Sequence, residues 1–188
     1  MERARVYIAL LHYPVYNKRM EVITTSVTNL DLHDISRVAC TYQVNGFFIV
    51  HPLKSQQELV NQILDYWRNG YGGEYNPDRK EAFQVVRLAD SLPEVIANIA
   101  GETGVKPKIV TTDARVYPNT VGYSLLRERL TREEECFLLL FGTGWGLSRE
   151  LMLSADYILE PIAAQRPYNH LSVRSAVAII LDRLLGGD

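Results

Sequence analysis

Cys136-Phe137-Leu138-Leu139-Leu140-Phe141-Gly142-Thr143-Gly144-Trp145-Gly146-Leu147-Ser148 is the run from which the rest of the chain is read. Its first six residues are apolar without interruption, the habit of a strand covered on both faces, as in a parallel sheet. A second short strand, Asp156–Leu159, leads into Glu160-Pro161-Ile162. A third loop, Gln165–Asn169, enters a final helix through His170-Leu171-Ser172-Val173-Arg174-Ser175-Ala176. Three loops therefore stand at strand ends near the C-terminus. In open α/β sheets ligands bind beyond the carboxyl ends of the strands, so chemistry is expected here.

Working outward, strands alternate with helices. Val6–Leu11 reads as an opening strand, Ile23–Asn29 as holding a second short one, and Asp31 or Asp34 as the cap of a helix to about Val44. Asn45-Gly46 ends that helix and Phe47–Val50 is the next strand. An amphipathic helix follows from Ser55 to about Trp67, then a loop from Asn69 to Lys80, a strand Phe83–Leu88 and a helix Leu92–Gly101. A strand Lys108–Thr112 and a helix around Gly122–Leu130 complete the pattern. It predicts a single α/β domain over residues 1–188, with a mostly parallel sheet and helices on both faces.

Composition bounds the function. An apolar fraction of 47% and a charged fraction of 22% are ordinary for a globular protein, and 188 residues suffice for one full core. A formal charge of −2 argues against a surface that grips nucleic acid everywhere but allows a local basic face. Cys40 and Cys136 lie in apolar stretches, which favours buried thiols and a reducing, cytoplasmic setting over a disulfide or a metal pair. No charged leader or apolar run of membrane-spanning length is visible. His12, His33, His51 and His170 are scattered, without metal-ligand spacing, and no metal is expected.

Gly142, Gly144 and Gly146 supply positive φ and close backbone approach. A dinucleotide fingerprint would need glycine where Leu147 stands, and a phosphate-binding P-loop would need a Gly-Lys-Ser/Thr that is absent. Taken alone, the run is equally a glycine-rich strand-to-helix turn. In order, however, Phe141-Gly142 with Gly146-Leu147-Ser148, then Glu160-Pro161-Ile162, then Leu171-Ser172-Val173-Arg174-Ser175-Ala176-Val177-Ala178-Ile179 resembles the cofactor-binding half of the SPOUT methyltransferases. That resemblance implies an RNA methyltransferase using S-adenosylmethionine (SAM), a deep C-terminal trefoil knot and a homodimer. It further implies an adenosine pocket made by Leu140, Phe141, Gly142, Thr143, Gly144 and Gly146, by Leu159, Glu160, Pro161 and Ile162, and by Asn169, His170, Leu171, Ser172, Val173 and Ser175. The ribose-methylating branch carries a glutamate in the first loop, where this chain has Thr143 and Trp145, so base nitrogen and ribose hydroxyl, in tRNA or rRNA, stay open as targets.

Methyl transfer from a sulfonium needs alignment and removal of one proton rather than a metal. Asn29 followed by Arg37 in the next helix resembles the SPOUT motif whose arginine reaches the neighbouring subunit's cofactor, which implies a catalytic role for Arg37; the alternative is a solvated helix residue paired with Asp34. Asp113, at a strand end, is a candidate proton acceptor or the cap of a turn with Asn119. Tyr66, Trp67, Tyr71 and Tyr75 beside Arg68, Arg79 and Lys80 are the ingredients for stacking on unpaired RNA bases, though Tyr66 and Trp67 equally suit a buried helix face. Two other function classes remain: an inactive module that keeps the fold and binds cofactor or RNA, and a nicotinamide-dependent oxidoreductase, against which the glycine pattern stands.

Overall fold

The computed structural model describes residues 4–131, 135–163 and 168–187. The strands are β1 (Arg5–Leu11), β2 (Val15–Tyr16), β3 (Val22–Ile23), β4 (Gly46–Val50), β5 (Val86–Ala89), β6 (Lys108–Thr111), β7 (Thr120–Val121), β8 (Cys136–Gly142) and β9 (Tyr157–Leu159). The helices are α1 (Asn29–Thr41), α2 (Lys54–Arg68), α3 (Tyr71–Tyr75), α4 (Pro77–Phe83), α5 (Leu92–Thr103), α6 (Tyr123–Arg129), α7 (Arg149–Ser154) and α8 (Val173–Leu185). Seven strands form one parallel sheet in the order β5-β4-β1-β8-β6-β9-β7, while β2 and β3 make a separate antiparallel hairpin.

The alternation of side chains along the central strands divides the core in two. Val6, Ile8 and Leu10 of β1 and Phe137, Leu139 and Phe141 of β8 pack with Leu32 and Ile35 of α1 and Val177 and Leu181 of α8. Tyr7, Ala9 and Leu11, with Cys136, Leu138 and Leu140, face Val95 and Ile99 of α5 and Met152 of α7. Burying one such aliphatic side chain contributes about 1.5–3 kcal/mol, so β1 and β8, apolar on both faces, are confined to the sheet's interior. Cys136 is buried and free, its thiol pushed up to about 11 chiefly by that burial; Cys40 is free and half-buried.

Local chemistry corrects several sequence expectations. The cap of α1 is neither Asp31 nor Asp34 but Thr28, whose hydroxyl accepts from the Asp31 N–H at 3.2 Å. Residues 69–80, expected as a loop, hold α3 and most of α4. Gly72 and Gly73 are the reason: a Cβ on them would overlap the Tyr66 ring and the Trp67 carbonyl, so only glycine lets α3 close onto α2. Asn76 caps α4 and Pro77 opens it, where a missing N–H costs nothing. The short strand expected within residues 23–29 lies one residue earlier, at Val22–Ile23, and pairs with Val15–Tyr16 rather than joining the main sheet.

The last helix is apolar at Val173, Ala176, Val177, Ile180, Leu181 and Leu184, more than one core-facing stripe needs. Yet Val177, Ile180, Leu181 and Leu184 are all buried within the chain's own core, so the helix offers no spare apolar face from those residues. Among the described residues no helix is long and apolar enough to cross a membrane.

Candidate active site

A cavity of about 910 Å³ opens beyond the carboxyl ends of β6, β8 and β9. Ligand sites of drug-sized molecules typically have volumes of about 300–1,000 Å³. Its walls bring together Phe141 and Gly142 at the end of β8 with Thr143, Gly144 and Gly146 of the first loop, Glu160, Pro161 and Ile162 of the second, and Asn169, His170, Leu171, Ser172 and Val173 at the entry to α8. Leu140 and Leu159 stay in the core, at 0% and 2% exposure, and support the site from behind. Ser175 does not line the cavity; its N–H is accepted by the Ser172 hydroxyl at 3.3 Å, capping α8. Gln165–Pro167 of the third loop lie outside the described residues.

The first loop is shaped by the hairpin β2–β3. The Tyr16 N–H donates to the Gly146 carbonyl and the Trp145 N–H to the Tyr16 carbonyl, both at 2.9 Å, while the Ser148 N–H donates to the Pro14 carbonyl at 3.2 Å. Gly144 has φ +61° and Gly146 φ +94°, the left-handed region that favours glycine. A Cβ on Gly144 would stand 2.8 Å from the Tyr16 carbonyl oxygen, and one on Gly146 2.8 Å from both the Arg115 guanidinium and the Asp113 carboxylate. These glycines therefore answer contacts within the protein itself.

Asp113 reaches the cavity, but both its oxygens are engaged. Arg115 Nε donates to Oδ1 at 3.0 Å and Nη2 to Oδ2 at 2.6 Å, a two-pronged pair with the Asp113 side chain only 5% exposed. The same guanidinium donates to the Trp145 carbonyl at 3.3 Å, and its hydrogen bond to Asp113 raises its already high pKa. Asp113 thus ties the strand end to the first glycine loop, and Asn119 is not its partner. Glu160 Oε1 accepts from the Tyr123 N–H at 3.2 Å, and Asn169 Nδ2 donates to the Ala114 carbonyl at 3.2 Å. His170 is exposed and packs edge-on against Tyr168.

Arg37 is exposed on α1 and takes no part in the walls of the cavity. Nor does it hold Asp34, which pairs at 3.2 Å with Arg174 of α8; Arg174 also reaches Asp31 at 3.4 Å. The aromatic segment splits. Trp67 is enclosed by Phe83, His33 and the Arg79 guanidinium, and Arg68 donates to the Phe83 and Val86 carbonyls. Tyr71 and Tyr75 are 67% and 77% exposed, stacked on one another.

Part of the site was missed from sequence. Met20, Thr25, Ser26, Thr28 and Asp31 line the cavity from the N-terminal side, with Arg174. Thr28-Asn29-Leu30-Asp31 is a Ser/Thr-x-x-acidic capping signature and would have placed the α1 N-terminus correctly. Beneath Thr25 and Thr143, the scattered His12 and His51 come together with ring centroids 5.3 Å apart. His51 is pinned, Nε2 to the Thr25 carbonyl at 2.9 Å and Nδ1 accepting the Leu53 N–H at 3.1 Å, and burial lowers its pKa. Burial, then the neighbouring His51, brings His12 down to about 4. Among the described residues no group of side chains could hold a metal ion.

The chemistry of the lining fits a SAM-sized ligand. Phe141, Ile162, Val173, Ala176 and Ile180 give an apolar wall for a base, and Glu160 an exposed carboxylate for sugar hydroxyls. The N-terminus of α8, where the Ser172 hydroxyl caps the Ser175 N–H, suits an anionic group at its first-turn amides.

A family model described as SAM-dependent RNA methyltransferase matches residues 5–186. The chain is 50% identical over 184 residues to an uncharacterized protein of Aquifex aeolicus (strain VF5), covering 98% of this chain and 90% of that one. It is 43% identical over 181 residues to a tRNA (guanine-N(1)-)-methyltransferase of Oleidesulfovibrio alaskensis, covering 96% of this chain but only 42% of that longer protein. Among solved structures, the TrmH/SpoU tRNA modifying enzyme of A. aeolicus superposes with a TM-score of 0.57 at 14% identity, over 98% of this chain and 75% of that one, which shows a shared fold. The chain belongs to the SAM-dependent RNA methyltransferase family.

Proposed function

We propose that this protein transfers a methyl group from SAM to tRNA, with the cofactor held in the 910 Å³ cavity. The observation that carries this is the convergence of three separate loops, each at the carboxyl end of a strand or the start of α8, on one cavity of cofactor size. SAM supplies a methyl group already activated on a sulfonium; the protein's part is to hold it, orient the RNA and exclude water. Trp145, 56% exposed at the cavity, and the stacked Tyr71 and Tyr75 are faces on which unpaired bases can stack. The guanine-N1 relative is more than twice as long as the part matched here, so the atom methylated by this chain is a matter for nucleoside analysis.

Titration with S-adenosylhomocysteine and with NAD is the first test, with binding of the former alone expected. Incubation of labelled SAM with tRNA and with rRNA, followed by digestion to nucleosides, is the second. Cofactor binding without label transfer to either RNA would favour an inactive binding module instead.

Two structural elements belong to the same reading. One is a C-terminal trefoil knot, which the resemblance of the three cavity loops to the SPOUT pattern implies. The other is a homodimer, supported by exposed Met20 and Leu171, which line the cavity, and by exposed Leu30 at the start of α1. A light-scattering mass near 21.4 kDa would count against the dimer.

A further inference from the structure

We propose that His12, held as the neutral Nδ1–H tautomer, is a positioning residue for the first glycine loop, fixing Thr143 at the cavity wall through the hydroxyl of Thr25. His12 ends the central strand's run and is 0% exposed, out of reach of any ligand in the cavity. Its Nδ1 lies 3.1 Å from Thr25 Oγ1; Thr25 Oγ1 contacts Thr143 Oγ1; and Thr143 Oγ1 lies 3.2 Å from the Leu11 carbonyl oxygen. Thr25 and Thr143 both line the cavity.

The direction of this chain follows from counting hydrogens. A carbonyl oxygen only accepts, and each hydroxyl has one hydrogen to give. The Thr143 hydroxyl therefore donates to Leu11, the Thr25 hydroxyl to Thr143, and the remaining contact must be filled by a hydrogen on His12 Nδ1. The reverse order would leave the Thr143–Leu11 contact without a hydrogen. Nε2 is then a bare lone pair, and it is the buried His12 atom without a partner among the described residues. Backbone bonds hold the same unit: His12 N–H to Val50, Thr25 N–H to His12 and Thr143 N–H to Leu11, at 3.1, 3.0 and 3.3 Å. Burial keeps the ring neutral, which preserves the tautomer at ordinary pH.

The role of the loop in cofactor binding rests on the function proposed above; the tautomer and the ordering of the loop do not. The test uses two amides that place a donor differently: His12→Asn superposes an N–H₂ on Nδ1, His12→Gln on Nε2. A side chain that merely filled space would be replaced about equally by both. Hydrogen exchange at residues 142–147 should stay near wild type in His12→Asn and accelerate at least about tenfold in His12→Gln. Thr25→Val, which cuts the chain without changing volume, should act like His12→Gln. Affinity for S-adenosylhomocysteine should follow the same order, and nitrogen-15 shifts of the His12 ring should report Nδ1–H. An Nε2–H ring, or equal loop exchange in the two His12 variants, overturns the proposal. Loop exchange that follows the Nδ1 donor in a protein that binds no S-adenosylhomocysteine would uphold the proposal and overturn the cofactor assignment instead.

Discussion

Tyr16 and Gly146, from opposite ends of the chain, are joined by a backbone hydrogen bond of 2.9 Å, and the Tyr16 carbonyl accepts in turn from Trp145 at 2.9 Å. The hairpin β2–β3 thereby acts as a clamp on the first glycine loop, and Gly144 is the residue on which it closes. Gly144→Ala combines φ +61° with a Cβ 2.8 Å from the Tyr16 oxygen. It should cost about 1–3 kcal/mol. A thermal melt checks this, with a fall of about 2–4 °C per kcal/mol expected for a chain of this size.

Because Gly144 serves the clamp, a cleaner obstruction of the cavity is Ala176→Phe. Ala176 is half-buried on α8 and lines the cavity, so the added ring extends into open space. S-adenosylhomocysteine affinity should fall at least about tenfold, roughly 1.4 kcal/mol, with little change in melting temperature. Calorimetric titration that finds unaltered affinity would place the cofactor elsewhere.

Trp145→Ala removes an exposed ring while leaving its backbone clamp intact. Loss of one base-stacking face is worth about 1–3 kcal/mol. The KM for tRNA should rise by about tenfold while cofactor affinity stays within twofold, measured by labelled methyl transfer and by titration.

His12 makes stability depend on acid. Its pKa is about 4 when folded against an ordinary value of 6.5, so between those pH values the unfolded chain binds the proton and the folded one does not. Stability is therefore fully present above about pH 6.5 and declines as pH falls towards 4, by about 3 kcal/mol from this group. The neighbouring His51, also lowered, acts in the same direction. Urea denaturation at pH 4.5, 5.5 and 7 should show the slope, and His12→Asn should reduce it.

Arg37 is exposed on α1 and outside its own chain's cavity, so the test of a catalytic role is whether it acts on a partner subunit. Arg37→Ala should leave cofactor affinity intact and lower methylation by about a hundredfold, the scale of one lost electrostatic contact. Mixing Arg37→Ala with Ala176→Phe chains should then restore activity, since one site of the heterodimer keeps both features. No restoration in demonstrated heterodimers would mean that Arg37 acts within its own chain or not at all.

Sequence by itself determined the layered α/β fold, because Val6–Leu11, Phe47–Val50 and Cys136–Phe141 are apolar throughout, too short for buried helices and bounded by turn residues, the habit of strands buried on both faces. It also marked the three loops, through glycines and a proline that break those elements sharply. What it could not carry were contacts whose partners are distant in the chain. The glycines of residues 69–80 read as a loop because glycine signals flexibility locally; only packing against Tyr66 and Trp67 turns them into helix. Asp113 read as either a proton acceptor or a turn cap, and only the fold shows Arg115 on both its oxygens; Arg37 read as either catalytic or paired with Asp34, and only the fold gives that carboxylate to Arg174. His12, Thr25, His51 and Thr143 carry no local pattern at all. His12, His51 and Thr143 meet because parallel strands β1, β4 and β8 end side by side, a register fixed by burial of the whole sheet, and Thr25 joins them after β3 through its N–H bond to the His12 carbonyl.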